Sequence, residues 1–219
     1  MLPVKAFSQA KSRLSALLSG MERRQLLWAF FLDAAQALRG CRKADCIAVV
    51  SSEARVLERA RKEGWIALEE PSQKSESHSV DQACAALSRQ GFEAVLRLPT
   101  DIPSLRSRDI DLILEADCPA SAILVPSQDG LGTNALMRNP PDAFPSHFGP
   151  GSLRLHLRAA DQAGLFACVV ENHRLALDLD TPEDVLAFLQ RPTDGHTLRA
   201  LQEMRMEERL LGRISHGLP

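Results

Sequence analysis

Short apolar runs and longer amphipathic runs exchange places along nearly the whole chain, and this alternation restricts the fold more than any other feature. Strand character lies at residues 2–4, 46–50, 65–68, 94–98, 122–126, 167–170 and 175–179, with a further short run at 135–137. Between them the spacing predicts helices over 22–39, 54–62, 79–89, 108–116, 153–163 and 182–189. In the first helix Leu26, Leu27, Phe30, Phe31, Ala34 and Leu38 recur at helical intervals, and Gly40 closes the run. The last opens with Thr181 as N-cap and Pro182 at the first helical position, where a missing N–H costs nothing. Strands separated by helices of this length favour an α/β fold, a mostly parallel sheet with helices on both faces. In such sheets the working site lies outside the carboxyl ends of the strands.

At 219 residues the chain suits one α/β unit. The expected division is a domain over 1–192, then a linker and a peripheral helix within 193–219. The charged, amphipathic run at 198–211 suggests a subunit contact in a homodimer. Lys and Arg number 26 against 28 Asp and Glu, a net charge of -2. Coating a polyanion needs a clear cationic excess, so nucleic acid is not an expected partner. Cys41, Cys46, Cys84, Cys118 and Cys168 form no C-x-x-C pair and read as reduced core thiols of a cytoplasmic protein. No stretch reaches the roughly 20 apolar residues that span a bilayer, and no charged-then-apolar signal opens the chain. No membrane association is expected. Trp28 and Trp65 lie in apolar runs and read as packing residues.

Four segments could carry chemistry. Lys5, Lys11 and Arg13 follow the first strand, where basic side chains and backbone N–H groups could hold a triphosphate; the same residues suit a solvated loop. Asp101 stands just beyond a strand, between Pro99 and Pro103, placed either to hold a divalent ion or to cap a turn. The third segment is Asp129-Gly130-Leu131-Gly132-Thr133-Asn134, with Phe148-Gly149-Pro150-Gly151-Ser152 downstream. Glycines admit close approach of an anion, and Ser152 begins a helix whose N–H groups could grip phosphate or carboxylate. Two surface turns and an ordinary cap would look the same. Fourth, Asp178 and Asp180 are two apart on a strand-like run, so both can face one cation; Asp180 also suits a helix cap. Separated carboxylates with a basic phosphate loop match phosphoryl transfer, in which a metal aligns the reactants and the protein positions them. His147, before the second glycine loop, is either a reader of substrate or an exposed loop histidine.

The ordered set P-V-K-x-x-x-x-A-K-S-R-L, L-P-T-D-I-P, D-G-L-G-T-N-A-L, F-G-P-G-S and L-D-L-D-T-P-E-D covers roughly residues 2–190. It resembles the guanylyltransferases that activate 2-phospho-L-lactate, phosphoenolpyruvate or 3-phospho-D-glycerate in coenzyme F(420) biosynthesis. The resemblance implies a Rossmann-like nucleotidyltransferase fold of the glycosyltransferase-A-like type. It also implies transfer of GMP from GTP to a small phosphorylated carboxylic acid, with Mg²⁺ held by Asp101, Asp178 and Asp180. Lys11 and Arg13, and with them Lys5, fall on the nucleotide-phosphate loop. Thr133, Gly149 and Ser152 fall on the positions that grip the acceptor. Asp81 stands where the family carries an Asn that contacts the nucleotide, and its carboxylate could accept from guanine N1–H and the 2-amino group. The competing readings are a related nucleotidyltransferase for a sugar phosphate or molybdopterin-type cofactor, and a non-catalytic nucleotide-binding module.

Overall fold

The computed structural model describes residues 1–7, 11–116, 121–191 and 194–215. The first half of the chain contains β1 (Leu2–Val4), α1 (Gly20–Arg39), β2 (Ala48–Ser51), α2 (Ala54–Lys62), β3 (Ile66–Glu69), α3 (Glu76–Arg89), β4 (Val95–Arg97) and α4 (Ser107–Leu114). The second half contains β5 (Ala122–Pro126), β6 (Thr133–Arg138), α5 (Ser152–Gln162), β7 (Ala167–Val169), α6 (Pro182–Leu189), α7 (His196–Glu203) and α8 (Met206–Ser215). Polar caps ahead of apolar periodicity fix the starts of α1 and α6. Ser19 accepts from the Glu22 N–H while Glu22 accepts from the Ser19 N–H, which sets the start of α1. Thr181 and Asp184 repeat the device at α6, with Pro182 inside the first turn.

The strands form a parallel sheet, β1-β2-β3, and a mixed sheet, β4-β6-β5-β7. Two backbone bonds join them: the Met1 amino group donates to the Leu96 carbonyl at 2.7 Å, and the Leu98 N–H donates to the Met1 carbonyl at 3.0 Å. The strands therefore run β3-β2-β1-β4-β6-β5-β7, with the three-residue β1 in the interior. The departure from a mostly parallel sheet is β6, antiparallel to both β4 and β5. Its cause is the short connection 127–132, because a parallel partner would need a crossover of about a dozen residues.

Alternate strand residues feed opposite faces. Val49, Leu96, Ile123, Val125 and Ala135 join the main cluster with α1, α2, α4 and α6. Ala48, Val50 and Val95 pack against Val80, Ala83 and Leu87 of α3, and Ala122, Leu124 and Leu136 against Ala159 and Ala160 of α5. Helices thus cover both faces, as an α/β fold requires.

Three expectations need correction. Residues 175–179 form no strand, although Leu175, Leu177 and Leu179 alternate into the core. The residues expected as a peripheral helix are α7 and α8, which belong to the core. Asp33 of α1 accepts from the His196 and Thr197 N–H groups at 2.7 and 2.8 Å, capping α7. Ala200, Leu201, Met204, Met206 and Leu210 are buried in the main cluster, so these apolar residues meet their own domain rather than a second subunit. Residues 192 and 193, where the sequence places the boundary, lie outside the described residues. The cysteines are not five reduced core thiols. Cys84 is a buried free thiol, Cys41 is half-buried and Cys46 exposed on the loop before β2, and Cys168 is disulfide-bonded. Cys118 lies outside the described residues. Trp28 packs 5.3 Å from Phe31 and under the Arg55 guanidinium, and Trp65 packs against the main cluster. No described helix is long and apolar enough to cross a membrane.

Candidate active site

A cleft of about 1170 Å³ brings the four segments together, and every candidate residue except Asp81 and His147 lines it. Reversal of β6 is what completes it. An antiparallel β6 begins where β4 and β5 end, so Thr133 and Asn134 stand beside the turn that carries Asp101.

Asp101, Asp178 and Asp180 each offer one oxygen within 4.8 Å of the others. Burial of the alternating leucines turns Asp178 and Asp180 toward the cleft. Side-chain and backbone bonds then replace a sheet ladder. Asn134 Nδ2 donates to the Leu175 and Ala176 carbonyls at 2.7 and 3.1 Å and lies 3.4 Å from Asp178 Oδ1. The Gln128 N–H donates to the Ala176 carbonyl at 2.9 Å.

Lys11 Nζ donates to Asp101 Oδ2 at 2.6 Å and also to Asp180 Oδ1. Its side chain is 6% exposed and passes over Phe30, and its backbone is left-handed, with φ 56°. That conformation costs a side-chain-bearing residue about 1–2 kcal/mol. Burial disfavours the ammonium, but Asp101 and Asp180 outweigh it and raise the Lys11 pKa. Burial likewise opposes ionisation of Asp101, yet Lys11 and then Arg97 hold its carboxyl below the usual range. Among the described residues Asp178 pairs with no cation: burial first, then Asp101 and Asp180, push it up. The cluster is short of positive charge, and its hard oxygen donors suit a divalent cation.

The two glycine loops form the opposite wall. Ser127 Oγ accepts from the Gly132 N–H at 2.7 Å, and Asp129 Oδ1 accepts from the Leu131 N–H at 2.9 Å. Gly149 and Gly151 have φ of 127° and 69°, backbone that L side chains rarely adopt, and they deliver Ser152 to the first turn of α5. Thr133 Oγ1 lies 3.0 Å from Nδ1 of buried His156. Arg13 is exposed on the turn after Lys11, and exposed Lys5 pairs with Glu76 at 3.0 Å. Lys11, expected on the phosphate loop, reaches Asp101 and Asp180 in this structure. Ala10 of the same motif lies outside the described residues.

Asp81, expected at the nucleotide, stands apart from the other candidates. Its carboxylate accepts from the Ser146 N–H at 3.0 Å, the Ser146 hydroxyl at 2.6 Å and Arg138 at 3.1 Å, and Arg138 is buried. It is the counter-ion of a core arginine and does not line the cleft. His147 donates its backbone N–H to His156 Nε2 at 2.8 Å, and its ring lies 6.1 Å from the His156 ring, centroid to centroid.

Sequence reasoning missed Arg97, Glu76 and His156, and gave Asn134 no role of its own. Arg97 is buried 4.2 Å from the Phe148 ring centroid, donates to the Asn134 carbonyl at 3.0 Å and pairs with Glu76. Burial lowers its pKa to about 10, still cationic at neutral pH. The available signal was an arginine inside an apolar strand, since such residues are almost never buried unless paired.

The family described as guanylyl transferase CofC like matches residues 1–211. A phosphoenolpyruvate guanylyltransferase of Rubrobacter xylanophilus is 37% identical over 84% of this chain and 89% of its own. A 2-phospho-L-lactate guanylyltransferase of Methanothermobacter thermautotrophicus is 32% identical over 93% and 89%. A 3-phospho-D-glycerate guanylyltransferase of Phenylobacterium zucineum is 32% identical over 93% and 95%. Among solved structures, a Desulfovibrio desulfuricans G20 protein provisionally described as a nucleotide-diphospho-sugar transferase shares the fold with a TM-score of 0.74 at 15% identity, covering 96% of this chain and 95% of its own. The CMP:2-keto-3-deoxy-manno-octonic acid synthetase complexed with CTP does so at 0.56 and 12%, over 92% and 97%. The fold is thus the Rossmann-like nucleotidyltransferase type, and the chain belongs to the CofC-like guanylyl transferase family.

Proposed function

We propose that this enzyme moves GMP from GTP to the phosphate of a small phosphorylated carboxylic acid, releasing pyrophosphate, on the way to coenzyme F(420). The observation that carries the reading is the convergence of Asp101, Asp178 and Asp180 in a cleft that Thr133, Gly149 and Ser152 also line. The three carboxylates would hold Mg²⁺, their oxygen donors and deficit of positive charge being what that ion requires. When bound, the ion neutralises phosphate charge and aligns the two substrates.

The chain's own residues bind and orient. Arg13 and Lys5 meet the triphosphate at the cleft wall, and Lys11 joins them when it leaves the carboxylates. Thr133, Gly149 and Ser152 receive the phosphate and carboxylate of the acceptor, with the Arg97 charge beneath them. An oxygen of the acceptor phosphate attacks the α-phosphorus in line. A new P–O–P bridge forms as the bond to the β-phosphate breaks, and pyrophosphate leaves. The attacking oxygen is already anionic at neutral pH, so no proton needs removal. Both substrates are multiply charged phosphates that do not cross a bilayer unaided, which supports a cytoplasmic reaction.

The test is pyrophosphate release with GTP, Mg²⁺ and a panel of phosphoenolpyruvate, 2-phospho-L-lactate and 3-phospho-D-glycerate, with mass analysis of the product. One of the three should yield a diphosphate-bridged guanosine conjugate. Coupling of a sugar phosphate with CTP instead would point to a related nucleotidyltransferase. Tight GTP binding with no turnover would leave a binding module.

A further inference from the structure

We propose that His156 is a positioning residue for the acceptor: it fixes the Thr133 hydroxyl as a hydrogen-bond donor aimed into the cleft. The proposal rests on the reading of Thr133 as an acceptor contact.

His156 lies one turn beyond Ser152 on α5, on the same buried face of the helix. Its Nε2 faces a donor that cannot change role, the His147 backbone N–H at 2.8 Å. Nε2 must therefore be the lone-pair nitrogen. Burial, then His147 and Arg138, lower the His156 pKa to about 3, so at neutral pH the ring carries one proton. That proton is on Nδ1, which donates to Thr133 Oγ1 at 3.0 Å.

A threonine hydroxyl has one hydrogen and two lone pairs. With one lone pair engaged by Nδ1–H, its hydrogen must point elsewhere. Among the described residues no protein acceptor stands at hydrogen-bond distance for it, and Thr133 lines the cleft. The hydrogen is left for an oxygen of the bound anion. Had His156 the other tautomer, Thr133 would donate inward and present lone pairs to an anionic substrate. The chain His147 N–H to His156 to Thr133 thus converts an ambivalent hydroxyl into a committed donor before substrate arrives.

The test is steady-state kinetics on Thr133→Val, His156→Leu, His156→Asn and the double variant Thr133→Val/His156→Leu, using the acid that the panel selects. Thr133→Val and His156→Leu should each raise the acceptor KM about tenfold, the size of one hydrogen bond to a charged group, while the KM for GTP stays constant. The double variant should be no worse than Thr133→Val alone, and His156→Asn, which keeps a donor near the Nδ1 position, should recover most of the loss. An unchanged acceptor KM in His156→Leu, or a double variant showing the full product of both losses, would overturn the proposal alone. An unchanged acceptor KM in Thr133→Val would overturn the acceptor reading and the proposal with it. Nitrogen-15 NMR of the unsubstituted enzyme gives a readout independent of variant folding. The expected signal is an Nδ1–H, Nε2-unprotonated ring at neutral pH, and the opposite tautomer would overturn the proposal.

Discussion

The backbone N–H of Leu179 donates to the carbonyl of Asp101 at 2.9 Å, tying together segments nearly eighty residues apart in the chain. The bond sits between Asp178 and Asp180, so it sets both carboxylates against the one beyond β4. No sheet ladder is needed. Buried leucines on one side and this bond on the other define which way the acidic side chains face.

If those carboxylates share a divalent ion, removing a charge from one should stop chemistry without unfolding the chain. Asp101→Asn and Asp178→Asn are each expected to lower pyrophosphate release by about 10³-fold, the loss of several kcal/mol of charge stabilisation. Melting should remain cooperative, because Lys11 keeps Asp180 as a partner and the leucines stay buried. Near-normal turnover in either variant would remove the metal assignment.

Asp81 separates what resemblance implies from what contacts show. A residue in the nucleotide slot of the family should alter base choice when changed. A counter-ion of buried Arg138 should alter stability instead. Asp81→Asn is expected to cost about 2 kcal/mol in urea unfolding, below the usual cost of breaking a buried pair because the aspartate is partly exposed. The ratio of GTP to CTP use should not move. A changed ratio with unchanged stability would restore the base-reading role.

Much of this site was legible because local patterns carried it. The period-2 leucines at 175, 177 and 179 oriented two aspartates correctly, although the segment forms no strand. Thr181-Pro182 marked the start of α6, and the boundaries of α2 and β5 followed from spacing alone. What escaped depends on distant partners. Arg97 reads as an odd residue in a strand until Glu76 and Phe148 are brought beside it. His156 is one more polar residue on an amphipathic helix until Thr133 and the His147 N–H define its two nitrogens. The tail reads as peripheral because the Asp33 cap that docks it lies more than 160 residues upstream. The reversal of β6 was within reach, since the 127–132 connection is too short for a crossover.

Burial of a neutral His156 also makes stability depend on pH. Its pKa is about 3 in the folded chain against 6.5 when free, so between those values the unfolded chain binds more protons. Stability should fall as pH is lowered through 6.5 toward 3, by about 1.4 kcal/mol per unit from this residue. Urea unfolding from pH 7 to 4.5 checks it by difference: His156→Leu should show a shallower acid slope than the unsubstituted enzyme. Equal slopes would mean that the imidazole titrates freely.

Lys11 gives the sharpest test of how the site is loaded. Its ammonium lies between Asp101 and Asp180, two of the three carboxylates that would share a divalent ion, and holds a left-handed backbone while doing so. One cation must give way to the other, and the displaced ammonium is then free to meet the triphosphate. Removing the charge should therefore divide two quantities that usually move together. In Lys11→Met, Mg²⁺ titrated without nucleotide should bind about tenfold more tightly, since a competing charge near two carboxylates is worth a kcal/mol or more even when partly screened. Mg²⁺ should also raise the melting temperature of the variant more than that of the unsubstituted enzyme, as ligand linkage requires. The KM for GTP should rise, because a cation for its phosphates is gone. Weaker Mg²⁺ binding in Lys11→Met would show that the lysine organises the carboxylates instead of competing for them, and the exchange would have to be abandoned.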